Sequence, residues 1–523
     1  MPDRLESNTR TVMVFTLLSR IAGLARDAVL SRFFGVTELM SAFWMAFLIP
    51  NLFRRLFGEG ALGVAFLPVY SELHTTNRDH ASQLASLLLG ALVVLLGSIV
   101  VVGESVLFLF FSMGDDNGTV LWLMMVMLPY MPLVCIVAML GAMLQVHGRF
   151  GPPAAAPLLL NGAMITAAVV VALLTGETTP HARLLTIGAI AGSVVLAGLL
   201  QVAWMLWSLR GKVQWTWNRA DAVAPMRKVM RATLPMLLGV AVLQFNVFLD
   251  SIIASYSVIF GTEQFLHWQY PLDTGAMAVL SFAQRLYQFP LGVFAIAVAT
   301  AIYPLLASQN KNADQFGETV RRGLRLVMFI GLPASIGLML VREPLTALIY
   351  QGWAFTGADT GEVSTVLLGY AVAIWAYSAN GVLARVCYAK LDMKTPVRIA
   401  VKMVVLNLIL NLTLIWTPLR TSGLAWSTAI CAVLQTGLLL QAVRHHVQEP
   451  IDAGVRRSML TSLMLAIVMG AGVFTVLSML DAPDGFWPRL LHIGLLVAVG
   501  TIIYGGGAIL LKMSELRLIF TRR

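Results

Sequence analysis

The chain has 523 residues, of which 58% are hydrophobic and 12% are charged, and its mean hydropathy is +0.81. A soluble globular domain carries about 25% charged residues, so this composition excludes a soluble enzyme or binding domain as the main body of the chain. The net charge of +10 does not indicate nucleic-acid binding, because the basic residues lie in short loops between apolar runs. We predict a polytopic membrane protein with no nucleic-acid partner.

Apolar runs long enough to cross a bilayer recur along the whole chain, since one helical span needs roughly 20 residues. We therefore predict an all-α fold of about fourteen transmembrane helices. Their approximate ranges are 10–33, 39–70, 84–111, 120–147, 156–176, 184–208, 232–260, 275–306, 321–341, 363–389, 397–417, 421–443, 457–480 and 487–511. The second and eighth exceed the length that a bilayer needs, so we expect tilt or a bend at Pro50 and Pro290.

The loops between these runs alternate in charge. If the N-terminus is cytoplasmic, the internal loops hold most of the Arg and Lys residues, as in the basic segment 209–231. The external loops hold mainly Asp and Glu, as at Asp115 and Asp116. This bias follows the positive-inside rule and predicts that both termini are cytoplasmic.

An internal repeat accompanies this alternation. Residues 41–72 resemble residues 277–308 at an offset of 236, and each segment has a central arginine and then Pro68 or Pro304 near its end. An offset of six spans preserves orientation, so we predict two parallel six-helix lobes. The predicted parts are an N-lobe at 1–210, a cytoplasmic linker at 211–231, a C-lobe at 232–445, and a C-terminal helix pair with a basic tail at 446–523.

Charged residues inside the spans are the most informative feature, because each costs several kcal/mol at the bilayer centre unless it faces a cavity or a partner. Arginines predominate among them, and a planar guanidinium binds phosphate bidentately. The set comprises Arg20, Arg26, Asp27, Arg54, Arg55, Glu59, Arg285 and Arg385. This pattern favours a carrier of a phosphate-bearing substrate. A proton-coupled exporter would more often have lone carboxylates at this depth. The alternative is a snorkelling anchor at the membrane interface, which stays open above all for Arg20, Arg32 and Arg385.

Helix geometry refines this reading. Arg20 and Arg26 point roughly 120° apart around one helix, so a straight helix does not present both to one phosphate. Arg55 and Glu59 stand at i and i+4, where they could pair and leave Arg54 available to a ligand.

Several uncharged or acidic polar residues also lie in apolar spans, namely Asn161, Asn246, Asp250, Asn407 and Asn411. Most such residues hydrogen-bond between helices. Asn407 and Asn411 share a helix face, and together with Asp250 they offer the oxygen ligands that a cation site needs.

The sequence lacks the usual signs of metal or catalytic chemistry. Cys135, Cys387 and Cys431 lie in apolar stretches without CxxC spacing or a Cys/His cluster along the chain, which argues against a disulfide framework or a zinc site. It also contains no phosphate-binding Gly-rich loop and no nucleophile triad. We therefore predict that the chain is not an enzyme.

Two segments carry a specific resemblance. SRIAGLARDAVLSRFFG at 19–35 and AFWMAFLIPNLFRRLFGEGALGVAFLPVYSE at 42–72 are similar to the opening of the MurJ/MviN lipid II flippases. That family belongs to the multidrug/oligosaccharidyl-lipid/polysaccharide exporter superfamily. Weaker similarity continues at 157–165, 284–307 and 389–400, so the resemblance covers nearly the whole chain.

The resemblance implies two lobes that open alternately to either side of the bacterial cytoplasmic (inner) membrane. A cationic central cavity would receive the pyrophosphate and sugar–peptide head group of lipid II, and the last two helices would form a groove for its polyprenyl tail. The implied partners are lipid II, membrane lipids and cell-wall synthesis proteins. The residues that match the family's cavity positions are Arg20, Arg26, Asp27, Asn51, Arg54, Arg55, Glu59, Asn161 and Arg285. We expect no cofactor apart from a candidate sodium ion, because Asp250, Asn407 and Asn411 resemble a sodium site of some members.

The chain also departs from the family. Ser41 stands where many relatives have an aspartate, Leu48 where they have a lysine, and Gln284 and Gln288 where they have acids. These changes question any coupling scheme that relies on those carboxylates. They leave the phosphate-binding hypothesis intact and leave open a flippase for another polyprenyl-linked glycan. A multidrug exporter of the same superfamily, which should show carboxylates in its cavity, and a non-transporting scaffold of the cell-wall synthesis complex are further alternatives.

Overall fold

A computed structural model describes residues 2–58, 61–114, 118–175, 179–292 and 296–516. Nearly all of this part of the chain is helical. The helices pack into two compact units, Met1–Ala278 and Val279–Arg523, which are described in turn.

The first unit contains ten helices and a small hairpin in its described residues. Its helices are α1 Pro2–Phe34, α2 Glu38–Phe53, α3 Ala61–Thr76, α4 Arg78–Ser112, α5 Gly118–Met127, α6 Tyr130–Val146, α7 Gly151–Thr175, α8 Pro180–Leu209, α9 Val223–Ala254 and α10 Tyr256–Phe260. A π-helical turn, Arg54–Gly58, follows α2. The strands β1 (Gln264–Phe265) and β2 (Trp268–Gln269) pair antiparallel. This hairpin was not expected from the sequence, because two-residue strands are too short to show a hydrophobic period.

The second unit is built from longer helices. They are α11 Ala276–Pro290, which starts at the end of the first unit, α12 Ile296–Ser308, α13 Ala313–Tyr350, α14 Gly357–Ala371, α15 Ile374–Ala389, α16 Lys394–Leu414, α17 Ser422–Val443, α18 Ala453–Met479 and α19 Phe486–Leu510. Side-chain caps define several helix starts; for example, the Thr356 hydroxyl accepts a hydrogen bond from the backbone N–H of Asp359 while the Asp359 carboxylate accepts one from the Thr356 N–H.

Large apolar side chains cover the outside of the helices. On α4, Val94, Val101 and Phe108 are 70%, 66% and 64% exposed, and their spacing of seven places them in one stripe. The opposite stripe of α4, with Leu88 and Leu96, is buried. A continuous apolar face of this size is unfavourable in water and favourable in hydrocarbon. The predicted multi-pass membrane fold is confirmed.

The number of spans is less definite than the class. Within the described residues, nine helical segments (α5 and α6 counted together) are long and apolar enough to cross a membrane, and ten if α14 and α15, which are bent by 40°, form one span. The other four predicted spans correspond to α1, to α2 with α3, to α9, and to α11 with α12. Helices α2, α3, α11 and α12 have only 16, 16, 15 and 13 residues, and α1 and α9 carry several charged residues. The total of fourteen therefore stays a prediction.

The second predicted span is interrupted, and its two arginines lie in a π-helical turn instead of a regular α-helix. Pro50 lies inside α2 and has no N–H to donate to the carbonyl one turn earlier. The π-helical turn that carries Arg54 and Arg55 follows directly, and such turns occur where the regular ladder is disturbed. In the second repeat segment, α11 likewise ends at Pro290. Both repeats are therefore interrupted near the prolines where bends were expected.

The boundary between the two structural units differs in position from the boundary between the repeats. Helix α9 packs against α3 and the π-helical turn, so it belongs to the first unit. The sequence-based linker at 211–231 includes the first turns of α9, which begins at Val223. The predicted domain boundaries stay predictions.

Close helix packing in the second unit depends on a glycine of α14. A Cβ at Gly369 would lie 2.8 Å from the Cβ of Ala425 and 3.1 Å from the backbone nitrogen of Trp426, both on α17. These separations are shorter than van der Waals contact, so any larger residue pushes α14 away from α17.

We predict that Gly369→Ala lowers the thermal unfolding temperature of the detergent-solubilised protein. Overpacking of this kind costs about 1–3 kcal/mol, which exceeds the gain of about 1 kcal/mol from alanine's helix propensity. Gly361→Ala is the matched control, because it lies in the same helix and its added Cβ meets nothing within 4 Å. A Gly369→Ala protein at least as stable as Gly361→Ala contradicts the proposed close contact.

Candidate functional site

A buried ion pair lies inside the first unit. Arg26 and Asp27, both on α1, are only 4% and 1% exposed. The Arg26 Nε and Nη2 atoms donate to Asp27 Oδ1 at 2.8 and 2.7 Å. Arg26 Nη1 donates to Asn161 Oδ1 on α7 at 3.1 Å. The guanidinium is thus held by a carboxylate and an amide, as a buried charge requires.

The local sequence explains this arrangement. Gly23 faces α7, and a Cβ there would lie 3.8 Å from Asn161 Nδ2, an ordinary contact distance, so Asn161 packs directly against α1. Asn161 Nδ2 also donates to the Ser19 carbonyl at 3.4 Å. On the α2 side, the ring of Trp44 lies 5.5 Å from the Arg26 guanidinium carbon, within cation–π range. The cluster ties α1 to both α2 and α7.

The two arginines of the π-helical turn have amide partners. Arg54 donates from Nε and Nη2 to Asn51 Oδ1 at 3.0 and 2.9 Å. Arg55 Nη1 donates to Gln244 Oε1 on α9 at 3.2 Å. Glu59, the residue expected to pair with Arg55, lies outside the described residues. Both arginines are half-buried, and the amide that each contacts is neutral.

The remaining predicted arginines are distributed between the units. Arg20 is half-buried on α1 of the first unit, and Arg285 is half-buried on α11 in the second unit. Next to Arg285, Gln284 Nε2 donates to the hydroxyl of Tyr370 at 3.2 Å. Tyr370 in turn stacks on Tyr287 with ring centroids 4.4 Å apart.

Ser41 and Gln284, two positions where the resemblance implies acids, make neutral hydrogen bonds. Gln284 contacts Tyr370 as described, and the buried Ser41 Oγ accepts from the backbone N–H of Ala278 at 3.2 Å. An amide and a hydroxyl at these positions contribute packing contacts without adding charge. A coupling scheme that needs carboxylates there has no chemical basis in this chain.

The candidate sodium residues fall in both units. Asp250 is buried on α9 of the first unit. In the second unit, Asn411 Nδ2 donates to Asn407 Oδ1 at 2.9 Å, and Asn407 Nδ2 donates to the Ser427 hydroxyl of α17 at 3.2 Å. The Ser427 hydroxyl also bonds Asn411 Oδ1. This network already joins α16 to α17, which is the packing role that most polar residues in spans have; sodium binding stays a prediction.

Sequence reasoning missed three contact residues. Trp44 and Gln244 contact predicted site arginines from other helices, and Tyr370 contacts Gln284, the neighbour of Arg285. Gln244 alone left a usable signal, because it is a polar residue in an otherwise apolar stretch. Trp44 and Tyr370 look like ordinary apolar-span aromatics, and only the packing of distant helices brings them to the site.

We predict that Asp27→Ala destabilises the protein strongly, because the buried Arg26 charge loses the carboxylate that accepts two of its N–H groups. Breaking one side of a buried pair costs about 3–5 kcal/mol, whereas replacing both partners with apolar residues is often close to neutral. The control is therefore the double variant Arg26→Met, Asp27→Leu. Thermal unfolding in detergent should place the double variant above the single one; the reverse order contradicts a structural role for the pair.

Comparisons with known proteins agree on one family. The sequence profile described as "Lipid II flippase MurJ" matches residues 30–493. A "Probable lipid II flippase MurJ" of Vibrio cholerae is 32% identical over 495 residues, covering 89% of each chain. The protein with the same description from Haemophilus influenzae is 31% identical and covers 96% of this chain and 99% of its own.

Solved structures show the same fold. One described as "Lipid II flippase MurJ, inward closed conformation" matches with a TM-score of 0.77 at 21% identity, covering 97% of this chain and 99% of the other. An inward-facing multidrug MATE transporter matches with a TM-score of 0.67 at 14% identity, covering 84% of this chain and 98% of its own. The match to the family profile extends over most of the length of the chain. This chain therefore belongs to the MurJ family.

Proposed function

We propose that this chain moves lipid II, the polyprenyl-pyrophosphate-linked peptidoglycan precursor, from the inner to the outer leaflet of the cytoplasmic membrane by alternating access. The observation that carries the proposal is the family match over residues 30–493 in a chain whose membrane-embedded charges are mainly arginines. Relatives named as lipid II flippases share 31–32% of its residues over most of its length. Both termini would be cytoplasmic, as the loop charges predict.

The chemistry of the head group fits the arginines of the predicted spans. A pyrophosphate presents several anionic oxygens, and guanidinium groups bind such oxygens through paired, charge-assisted hydrogen bonds. The residues proposed to contact it or to organise the contacts are Arg20, Arg26, Asp27, Asn51, Arg54, Arg55, Glu59, Asn161 and Arg285. Translocation needs no bond to be made or broken, so the chain would act as a carrier and not as an enzyme.

The partners of the arginines suggest different tasks within this set. Arg54 and Arg55 donate to the neutral amides of Asn51 and Gln244, and an anionic phosphate oxygen is a stronger acceptor than an amide. A phosphate oxygen can therefore replace these two amide oxygens as the acceptor. Arg26 donates to the carboxylate of Asp27, which a phosphate displaces less readily. We assign to Arg26 the task of holding α1, α2 and α7 together around the site.

Energy for the cycle could come from the membrane potential or from an ion gradient. Each elementary charge that moves through 100 mV contributes about 2.3 kcal/mol, which is enough to bias a two-state carrier. Sodium is the candidate ion, with Asp250, Asn407 and Asn411 as its proposed ligands.

The alternatives differ in what they need from the arginines. A carrier of another polyprenyl-pyrophosphate glycan needs the same residues and differs only in the sugar. A scaffold of the cell-wall synthesis complex does not need them. The similarity to a MATE transporter at 14% identity shows the fold alone and does not favour drug export.

We predict that the wild-type chain restores growth to a bacterium depleted of its own lipid II flippase, and that Arg54→Ala and Arg285→Ala do not. Loss of one hydrogen bond to a charged group costs about 1.5–3 kcal/mol, or roughly a 10- to 100-fold lower transport rate. Arg342→Ala is the matched control, because Arg342 lies on the long helix α13 and donates to the carbonyl of Met339 in its own helix.

Growth is measured at matched membrane expression, with accumulation of unflipped lipid II as a second readout. Failure of the wild type disproves lipid II as the substrate. Full activity of both arginine variants disproves the phosphate-binding role while leaving the family assignment intact.

A further inference from the structure

The second unit brings together three side chains with metal-ligand chemistry. The ligand atoms of Cys387, Asp392 and His446 all lie within 4.8 Å of one another. The sequence argued against a zinc site because no Cys/His cluster appears along the chain. That argument considered spacing in the sequence only, and the fold places His446 of the segment after α17 beside the end of α15.

The backbone holds the first two residues against each other. Cys387 is buried in the last turn of α15. The chain then turns through Leu391, whose φ of 61° is in the left-handed region, and the backbone N–H of Asp392 donates back to the Cys387 carbonyl at 2.9 Å. This turn brings the Asp392 carboxylate close to the Cys387 thiol.

The carboxylate is oriented by the start of α16. Asp392 Oδ1 accepts a hydrogen bond from the Thr395 N–H at 3.1 Å, and its Oδ2 lies 3.6 Å from His446 Nε2. The Asp392 and His446 side chains are 26% and 24% exposed, which leaves an approach from solvent.

The basic side chain of Lys390, two residues before Asp392, contacts other groups. Lys390 Nζ donates to the carbonyl of Asn310 at 2.7 Å and lies 4.2 Å from the ring centroid of Phe316. It therefore does not occupy the position between the carboxylate and the imidazole. The negative charge of Asp392 stays available to an added cation.

We propose that Cys387 Sγ, Asp392 Oδ2 and His446 Nε2 bind a zinc ion, with water in a fourth position. Sulfur, nitrogen and oxygen in one set match the ligand preference of zinc and disfavour magnesium or calcium, which bind oxygen. Zinc–ligand bonds of about 2.0–2.3 Å in tetrahedral geometry place the ligand atoms roughly 3.3–3.7 Å apart. The Asp392–His446 pair at 3.6 Å already has this separation, and Cys387 Sγ lies within 4.8 Å of both ligand atoms.

Charge balance supports the assignment. On binding, the Cys387 thiol releases its proton to solvent, and the imidazole binds in its neutral form. The thiolate and the carboxylate then neutralise the two positive charges of the ion, which suits a site that is mostly shielded from water. A bound ion would join the end of α15, the start of α16 and the end of α17.

Cobalt(II) substitution of the purified full-length protein in detergent tests this site. Cobalt takes the zinc position and gives a thiolate-to-metal charge-transfer band in the near ultraviolet when a cysteine is bound. We expect this band to saturate at one cobalt per chain, to disappear on adding zinc, and to be absent from Cys387→Ala and His446→Gln.

Matched controls share the same residue types outside the cluster. Cys431→Ala removes another buried cysteine of the second unit, and His445→Gln removes the exposed neighbouring histidine; both should keep the band. Thermal unfolding adds a readout that does not depend on the thiol, since zinc should stabilise the wild type and not His446→Gln. A wild type without the band, or a band that persists in Cys387→Ala, overturns the proposal. Neither result bears on lipid II transport.

Discussion

The structure depends on the burial of guanidinium charge among helices that face hydrocarbon. A charge there is tolerated only with partners around it. Arg26 contacts Asp27 on its own helix, Asn161 on α7 and the Trp44 ring on α2. These contacts require α1, α2 and α7 to lie close together. The outer faces need no such partners, as the exposed valines and phenylalanine of α4 illustrate.

This constraint also separates the arginines by the groups to which they donate. A guanidinium that is paired with a carboxylate is costly to release, whereas one that donates to an amide can change partner when a phosphate arrives. The Asp27 carboxylate accepts two N–H groups of Arg26, whereas the amide oxygens of Asn51 and Gln244 accept from Arg54 and Arg55. The π-helical turn after Pro50 carries Arg54 and Arg55, so an irregular stretch of helix coincides with the residues proposed to respond to substrate.

The sequence predicted the features that depend on composition and on local spacing. The membrane class, the interruptions near Pro50 and Pro290, and the shared face of Asn407 and Asn411 all follow from hydropathy or helical geometry, and the structure contains each of them. Contacts between distant helices have no such local signal. The Arg55–Gln244 bond and the meeting of Cys387 with His446 arise only when separate helices pack.

The most direct test of the account is a leaflet-resolved assay of lipid II in vesicles that contain only the purified protein, with and without a membrane potential or a sodium gradient. The account predicts protein-dependent movement of lipid II between leaflets, slowed strongly when Arg54 or Arg285 is replaced by alanine. A correctly folded protein that leaves lipid II in its original leaflet under every condition would contradict it.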